Sequence, residues 1–510
     1  MAGEPLDGRR LPLRFVGNVF FAFCSRLAPK IASTLLFILL MRQGGTHAAG
    51  TYSLSIAFLT SAVLFSSLGL DELIVREVAK EPYLSRRYLV NTLVLRGFFS
   101  LLGYAVVVSV VTWISNYDTE VQRIVLIQSL GLFPEGLNAT LFAFFNARHK
   151  LDWMAFVSVC VSAFQLVAGG VALWMGAHLE WLIWILLTGS LLGVSISAYL
   201  SMKLLADQGA PNSDGTDDLA GTRRWQLGWS FYRQQIKQTL PFAIIIALVS
   251  LDLQLDVILL SVLRDVAEVG IYSAARTIVL FLSLVPQAFR MSIYPSMAKA
   301  YASSEADLRK IYGQSWRYLS AVGLPLTVGT MIVSQQVINL IYKEVPVTAS
   351  WSLSILTLHL LVLFLYIPSA RLMVVSVELK WLSLLLGVSL GFNLLLGILL
   401  VPWLGTIGTA ISRSVASILY FVSTEFYVSR YLLPKHGGGR MAWKPLLSTV
   451  VMAIAVWSFR AQPLYVSVPL GVGSYSVATM AQISIKTRNE ASNEEGIEIN
   501  DRQADGKESA

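Results

Sequence analysis

Apolar runs of about 20 residues recur along most of the sequence, and they constrain its fold more than any other feature. A run of this length matches the hydrocarbon thickness of a bilayer. Because lipid offers no partner for backbone N–H and C=O groups, each run must satisfy these groups internally as a helix. The runs are continuous rather than alternating, which argues against a transmembrane β-barrel. The sequence therefore predicts an all-α, polytopic membrane protein.

We count about fourteen of these runs as predicted transmembrane spans. The last two are short, and one proline and two glycines interrupt the final one. The approximate ranges of the predicted spans are 13–41, 51–70, 89–114, 121–145, 154–175, 181–204, 240–263, 269–289, 316–341, 351–370, 381–400, 404–428, 444–459 and 464–481.

A short motif opens the second predicted span in each half of the chain. It reads Gly-Thr-Tyr-Ser from Gly50 and Gly-Ile-Tyr-Ser from Gly270. The polar loop 206–239 separates six predicted spans from the next six, so both halves begin on the same side of the membrane. This arrangement predicts two six-helix lobes related by a parallel repeat, followed by two C-terminal helices.

The predicted domain organisation follows from these boundaries and from the polar composition of the last residues, which is typical of disorder. In chain order, the predicted domains are an N-lobe at 1–205, a cytoplasmic linker at 206–239, a C-lobe at 240–430, two further spans within 431–482 and a disordered cytoplasmic tail at 483–510.

Lysine and arginine are concentrated in alternate loops, and this bias predicts the orientation of the chain. Positive residues mark the cytoplasmic side of a membrane protein. The sparse side carries only Arg42, Arg264, Lys343 and Arg460 among its loops. Both termini are therefore predicted to be cytoplasmic in the cell membrane. The net charge of +8 is a topology signal on this interpretation, and no nucleic-acid partner is predicted.

Composition favours a membrane protein over a soluble one, and motifs argue against an enzyme. Only 14% of the residues are charged, against about 25% in soluble domains. The sequence has no phosphate-binding glycine loop with lysine, no Ser/His/Asp order and no HExxH pattern. Cys24 and Cys160 lie in apolar runs without disulfide or metal spacing, so neither a metal nor a cofactor is predicted. The short outer loops leave no room for an external catalytic domain.

Basic residues inside predicted spans are the main candidates for a binding site, because charges are costly in lipid and face a cavity or a partner. Arg26 and Lys30 lie one helical turn apart in the first span, Arg276 lies in the eighth and Arg413 in the twelfth. They predict a cationic site for an anionic group. The alternatives are structural ion pairs or side chains that extend to the interface, and Arg96 in the third span is predicted to do the latter.

Acidic residues inside spans are candidates for ion coupling. Asp252 and Asp256 lie one turn apart in the seventh span, and Glu135 lies near the middle of the fourth. Two carboxylates in a low dielectric do not both ionise readily, which predicts a site for H⁺ or Na⁺. The alternative is that each acid neutralises a neighbouring arginine or lysine.

The sequence resembles the oligosaccharide-lipid flippases of the bacterial polysaccharide biosynthesis family, within the multidrug/oligosaccharidyl-lipid/polysaccharide exporter (MOP) superfamily. The pieces that carry the resemblance, in chain order, are GTYSLSIAF, SSLGLDELIVREVAK, LFAFFNARHKLDWMAF, VGIYSAARTIV and LGTIGTAISRSVA.

This resemblance implies two lobes that face each other around a central cavity. The implied substrate is an oligosaccharide on polyprenyl pyrophosphate, whose isoprenoid tail stays among the membrane lipids. Related lipid II flippases have two extra C-terminal spans, and their cavity arginines correspond to Arg26 and Arg276 by span position.

Three functions remain open at this point. The first is a flippase for a lipid-linked oligosaccharide used in cell-surface polysaccharide such as exopolysaccharide or O-antigen. The second is a cation-coupled multidrug antiporter, although Arg26 and Lys30 favour an anionic substrate. The lipid II flippase is a variant of the first, and its opening motif is not evident here. The third is a polymerase or ligase, which the short outer loops disfavour.

Overall fold

The computed structural model describes residues 13–67, 69–80, 85–113, 117–206, 248–434, 443–460 and 462–482. Within these ranges every regular element is helical, so the all-α fold class is confirmed. The predicted tail and nearly all of the predicted linker lie outside the described residues.

The described residues contain seventeen α-helices, numbered in chain order, and a π-helical turn, Val428–Leu432, follows α15. The helices are α1 (Leu13–Ser67), α2 (Leu70–Lys80), α3 (Ser85–Trp113), α4 (Thr119–Ser129), α5 (Leu132–Ala147), α6 (Leu151–Trp174), α7 (Leu179–Ala206), α8 (248–263), α9 (Val266–Leu282), α10 (Leu284–Ser303), α11 (Glu305–Ile332), α12 (Ser334–Ile341), α13 (Thr348–Leu365), α14 (Ile367–Val375), α15 (Leu379–Tyr427), α16 (Trp443–Ser458) and α17 (Leu464–Gln482).

Glycines break the two longest helices. Gly45 has a φ of 73° within α1, and Gly405 has a φ of 54° within α15. A positive φ is costly for residues with a Cβ atom, so glycine is the usual residue where a helix must turn. The break in α1 lies in the predicted gap at 42–50, and the break in α15 lies beside the predicted gap at 401–403.

Eight helical segments in the described residues are long and apolar enough to cross a membrane, and nine if α11 and α12, bent by 74°, form one span. This confirms a polytopic membrane protein. The count of about fourteen spans stays a prediction.

The chain forms two compact units. Unit 1 comprises 1–277 and 390–409, and unit 2 comprises 278–389 and 410–510. In unit 1, α1 packs against α3, α4 and α6, and a buried apolar cluster joins α2, α3 and α5. In unit 2, α11 packs against α10, α13 and α16, and a second cluster joins α10, α11 and α14. The predicted lobe boundaries remain a prediction.

Candidate functional site

The two basic residues of α1 lie one turn apart, as their i, i+4 spacing requires. The Arg26 side chain is exposed and Lys30 is half-buried. In the part of the chain that the structure describes, neither residue forms an ion pair with a carboxylate. These positive charges are therefore available to an anion.

Arg276 of α9 lies within electrostatic range of Lys30. The two side chains are close enough for their positive charges to repel each other. The Arg276 guanidinium does not extend outward along α9. It donates to the backbone carbonyl of Leu253 and, at 3.2 Å, to Oε1 of Gln254, both on α8. These contacts hold the Arg276 charge beside the preceding helix of the same half of the sequence.

A hydrogen-bonded carboxylate lies on α8 near the same contacts. Asp256 is buried, and its Oδ2 accepts from the Tyr272 hydroxyl at 3.0 Å. Its Oδ1 accepts from Nδ2 of Asn393 at 2.9 Å. Tyr272 lies one turn before Arg276 on α9, so one face of this helix carries both the carboxylate partner and the cation. Asp252, by contrast, is half-buried.

The other two candidate residues differ in exposure. Glu135 on α5 is accessible to solvent. Arg413 belongs to unit 2, where its side chain is 8% exposed. In this structure Arg413 is therefore not presented to a ligand, whereas Glu135 is accessible.

Arg96 corrects one prediction from the sequence. Its side chain is 1% exposed and does not extend to the interface. Nη2 pairs with Oδ1 of Asp71 at 2.7 Å, and Nη1 donates to the Gly136 carbonyl at 2.8 Å. The ion pair joins α3 to α2, and the hydrogen bond joins α3 to α5. A signal for this ion pair was present in the sequence. Asp71 directly follows the second predicted span, Arg96 lies in the third, and consecutive spans are antiparallel neighbours.

The glycines of the repeated motif contact each other in unit 1. A Cβ atom on Gly50 would lie 1.9 Å from the carbonyl oxygen of Val266, and a Cβ on Gly270 would lie 1.9 Å from that of Thr46. Each carbonyl is one turn before the opposite glycine, so the contact is reciprocal. Backbones can approach this closely only where both residues lack a side chain.

A second contact in unit 1 joins the same two halves of the sequence. The Tyr117 hydroxyl and Ser261 Oγ are 2.7 Å apart, and both residues are buried. The Tyr117 ring also meets Phe58 edge-on, with ring centroids 6.4 Å apart. Loop and helix segments from the two halves are thus closely packed here.

The described residues contain no group of three or more His, Cys, Asp or Glu side chains that could hold a metal ion. A polytopic helical fold with an exposed cation on one span and a buried carboxylate on another is typical of membrane transporters.

Solved transporter structures share this fold. The lipid II flippase MurJ in its inward closed conformation aligns at a TM-score of 0.72 and 14% identity, over 93% of this chain and 100% of that one. An inward-facing multidrug resistance MATE family transporter of the MOP superfamily aligns at 0.61 and 13%, over 80% and 98%. A MOP superfamily transporter from Pyrococcus furiosus aligns at 0.56 and 14%, over 82% and 95%.

The family follows from the sequence itself. Residues 15–301 match the model of the polysaccharide biosynthesis protein family. The chain therefore belongs to this family, and the resemblance drawn from its motifs is confirmed. No curated protein sequence matches the chain.

Proposed function

We propose that this transporter translocates a polyprenyl-pyrophosphate-linked oligosaccharide across the cytoplasmic membrane, by alternating access, for cell-surface polysaccharide biosynthesis. The observation that carries the proposal is the exposed Arg26 one turn from Lys30, with the Arg276 charge within electrostatic range of Lys30. Family membership supports the same assignment.

The electrostatics of the three cations favour an anionic substrate. Two like charges held close together raise the free energy of the empty site, and a pyrophosphate with two or more negative charges relieves that repulsion. Arginine also offers a planar pair of donors that matches phosphate oxygens. A charged, sugar-bearing head group cannot cross hydrocarbon unaided, so this site lowers the barrier while the isoprenoid tail remains in lipid.

The finer architecture belongs to the same proposal. About fourteen spans would form two six-helix lobes with a parallel repeat and two C-terminal helices. The reciprocal contact of Gly50 with Gly270 supports the repeat.

Both termini are cytoplasmic in this proposal. A cysteine label at 116–118 should react from outside, and one at 212–218 only after permeabilisation. Outside labelling at 212–218 would overturn the orientation.

Ion coupling is the second part of the proposal. Asp256 is the leading candidate because Tyr272 and Asn393 hold its carboxylate in a buried position beside the cationic site. Asp252 and Glu135 remain candidates for the same role, with H⁺ or Na⁺ as the ion. Arg413 remains a candidate for substrate binding only if another conformation exposes it.

The fold likeness to a multidrug transporter keeps a cation-coupled small-molecule antiporter as the alternative. The likeness to a lipid II flippase keeps that substrate as a narrower variant. Acidic residues in a cavity would favour the binding of cationic drugs. Arg26 and Lys30, which pair with no carboxylate among the described residues, favour an anion instead.

Transport in proteoliposomes tests the proposal. Wild-type protein should carry a labelled polyprenyl-pyrophosphate glycan across the bilayer. A cationic drug should not compete with the glycan for transport. Arg276→Ala should slow transport by roughly ten-fold to one-hundred-fold, the effect of losing one charge-assisted hydrogen bond.

Arg123→Ala is the matched control for this substitution, because its exposed ion pair with Glu180 lies elsewhere in unit 1. Equal glycan transport by Arg276→Ala and Arg123→Ala would show that Arg276 does not bind substrate. Drug transport without glycan transport would favour the antiporter.

A further inference from the structure

A second group of basic side chains lies in unit 2 and shares no residue with the candidate site described above. Arg290 of α10 and Arg371 of α14 are close enough for their charges to repel each other. Arg371 lies over the ring of Tyr294, with its Cζ atom 6.0 Å from the ring centroid. Tyr294 follows Arg290 by one turn on α10, and α10 packs against α14. Two helices thus present their cations to the same region.

Aromatic side chains complete the surroundings of Arg371. Tyr366, at the start of α14, and Tyr420 of α15 have ring centroids 5.7 Å apart. Both phenol groups lie within electrostatic range of Arg371. Tyrosine offers a hydroxyl for hydrogen bonding and an apolar face, the combination common in binding sites for polar ligands.

A structural role for these two arginines would be expected to place a carboxylate beside them. Among the residues that the structure describes, no carboxylate pairs with Arg290 or Arg371. Nε of Arg371 is buried and makes no hydrogen bond within the same residues. Glu425 of α15 instead accepts from the hydroxyls of Tyr312 and Ser369, at 2.9 and 2.5 Å. A buried polar atom without a partner costs free energy, which a bound acceptor would recover.

We propose that Arg290, Arg371 and the adjacent tyrosines form a second binding site, which takes a phosphate or pyrophosphate group carried by a lipid. This inference rests on the proposed function. Arg290 and Arg371 directly follow the predicted cytoplasmic ends of spans 269–289 and 351–370, where lipid phosphates of the inner leaflet lie. The site would receive the head group as it leaves that leaflet.

Two sources can supply this chemistry, and they differ in the tail that carries the phosphate. One is the polyprenyl pyrophosphate of the transported substrate, and the other is the head group of an anionic bilayer lipid. Arginine pairs with either, because the guanidinium recognises phosphate oxygens in a bidentate manner.

Binding by the full-length protein in phosphatidylcholine nanodiscs tests the site. Farnesyl pyrophosphate is the probe in one arm, with farnesol as the uncharged comparison. In the other arm, the discs contain phosphatidylglycerol, and the lipid retained by the protein is measured by mass spectrometry. Arg290→Gln and Arg371→Gln should each weaken farnesyl pyrophosphate binding roughly ten-fold to one-hundred-fold.

Two further variants keep the test decisive. Arg309→Gln is the control, because Arg309 is exposed on α11 and pairs only at i, i+4 with Glu305. Arg371→Lys restores the charge without the planar fork, so binding should recover only in part. That intermediate affinity, at an unchanged unfolding temperature, separates ligand binding from a loss of folding.

The outcomes distinguish this inference from the proposed function. If Arg290→Gln and Arg371→Gln bind both farnesyl pyrophosphate and phosphatidylglycerol as tightly as Arg309→Gln, the inference is overturned and glycan transport through Lys30 and Arg276 is unaffected. If they lose only phosphatidylglycerol, the phosphate site stands but belongs to a bilayer lipid. If wild-type protein binds neither probe and transports no glycan, the proposed function fails and the inference fails with it.

Discussion

Substituting Gly50 with alanine should separate the two halves of the chain where their repeated motifs meet. The added Cβ atom would lie 1.9 Å from the Val266 carbonyl oxygen. A close contact between carbon and oxygen is about 3.3 Å, so α1 and α9 must move apart by about 1.4 Å. Neither atom belongs to a flexible side chain, so the backbones themselves must shift.

Gly50→Ala should destabilise the contact of Gly50 with Gly270 by about 1–3 kcal/mol, which is typical of overpacking in a well-packed interface. That free energy corresponds to a shift of roughly 5-fold to 150-fold in the equilibrium between the form with α1 and α9 in contact and the form with these helices separated. Gly270→Ala should behave alike, because its Cβ would meet the Thr46 carbonyl oxygen at 1.9 Å. Since the first substitution already separates the helices, the double variant should cost much less than the sum.

Reactivity of a cysteine at Ser261 reports this opening, because Ser261 is 2% exposed and bonds to Tyr117 across the same two halves. Cys24 and Cys160 are first replaced by serine. In nanodiscs, Gly50→Ala should raise the labelling rate of Ser261→Cys at least 5-fold. Gly97→Ala is the control, because a Cβ there meets no atom within 4 Å. Equal labelling of the Gly50→Ala and Gly97→Ala proteins would refute the steric argument.

Three other predictions concern charged residues. Asp71→Asn should destabilise the protein by about 1–3 kcal/mol, because it leaves the buried Arg96 without a carboxylate. Thermal unfolding should show a smaller effect for Arg123→Ala, whose ion pair is exposed. Asp256→Asn should abolish ion-gradient dependence while protein still reaches the membrane, and unchanged dependence would remove this carboxylate from coupling. Arg26→Ala should transport far less glycan than wild type, and Arg26→Lys should recover only part of the rate.

The positions of the helices could be predicted from the sequence because lipid leaves the backbone no alternative. A long apolar run must close its hydrogen bonds internally, whatever lies beside it. The helix ends at Trp113, Ala147 and Trp174 lie within about four residues of the predicted ends for this reason. The breaks at Gly45 and Gly405 were also local, since they depend on the freedom of a single residue.

The partners of the charged residues, by contrast, were decided by the tertiary structure. The sequence marked Arg26, Lys30, Arg276 and Asp256 as costly charges, but a span order does not specify which side chains meet. Arg96 illustrates the limit, because its depth in the span favoured the interface while packing supplied Asp71 at 2.7 Å. An ion pair or a cationic site requires atoms from distant segments within a few ångströms, and only the packing of the helices brings them together.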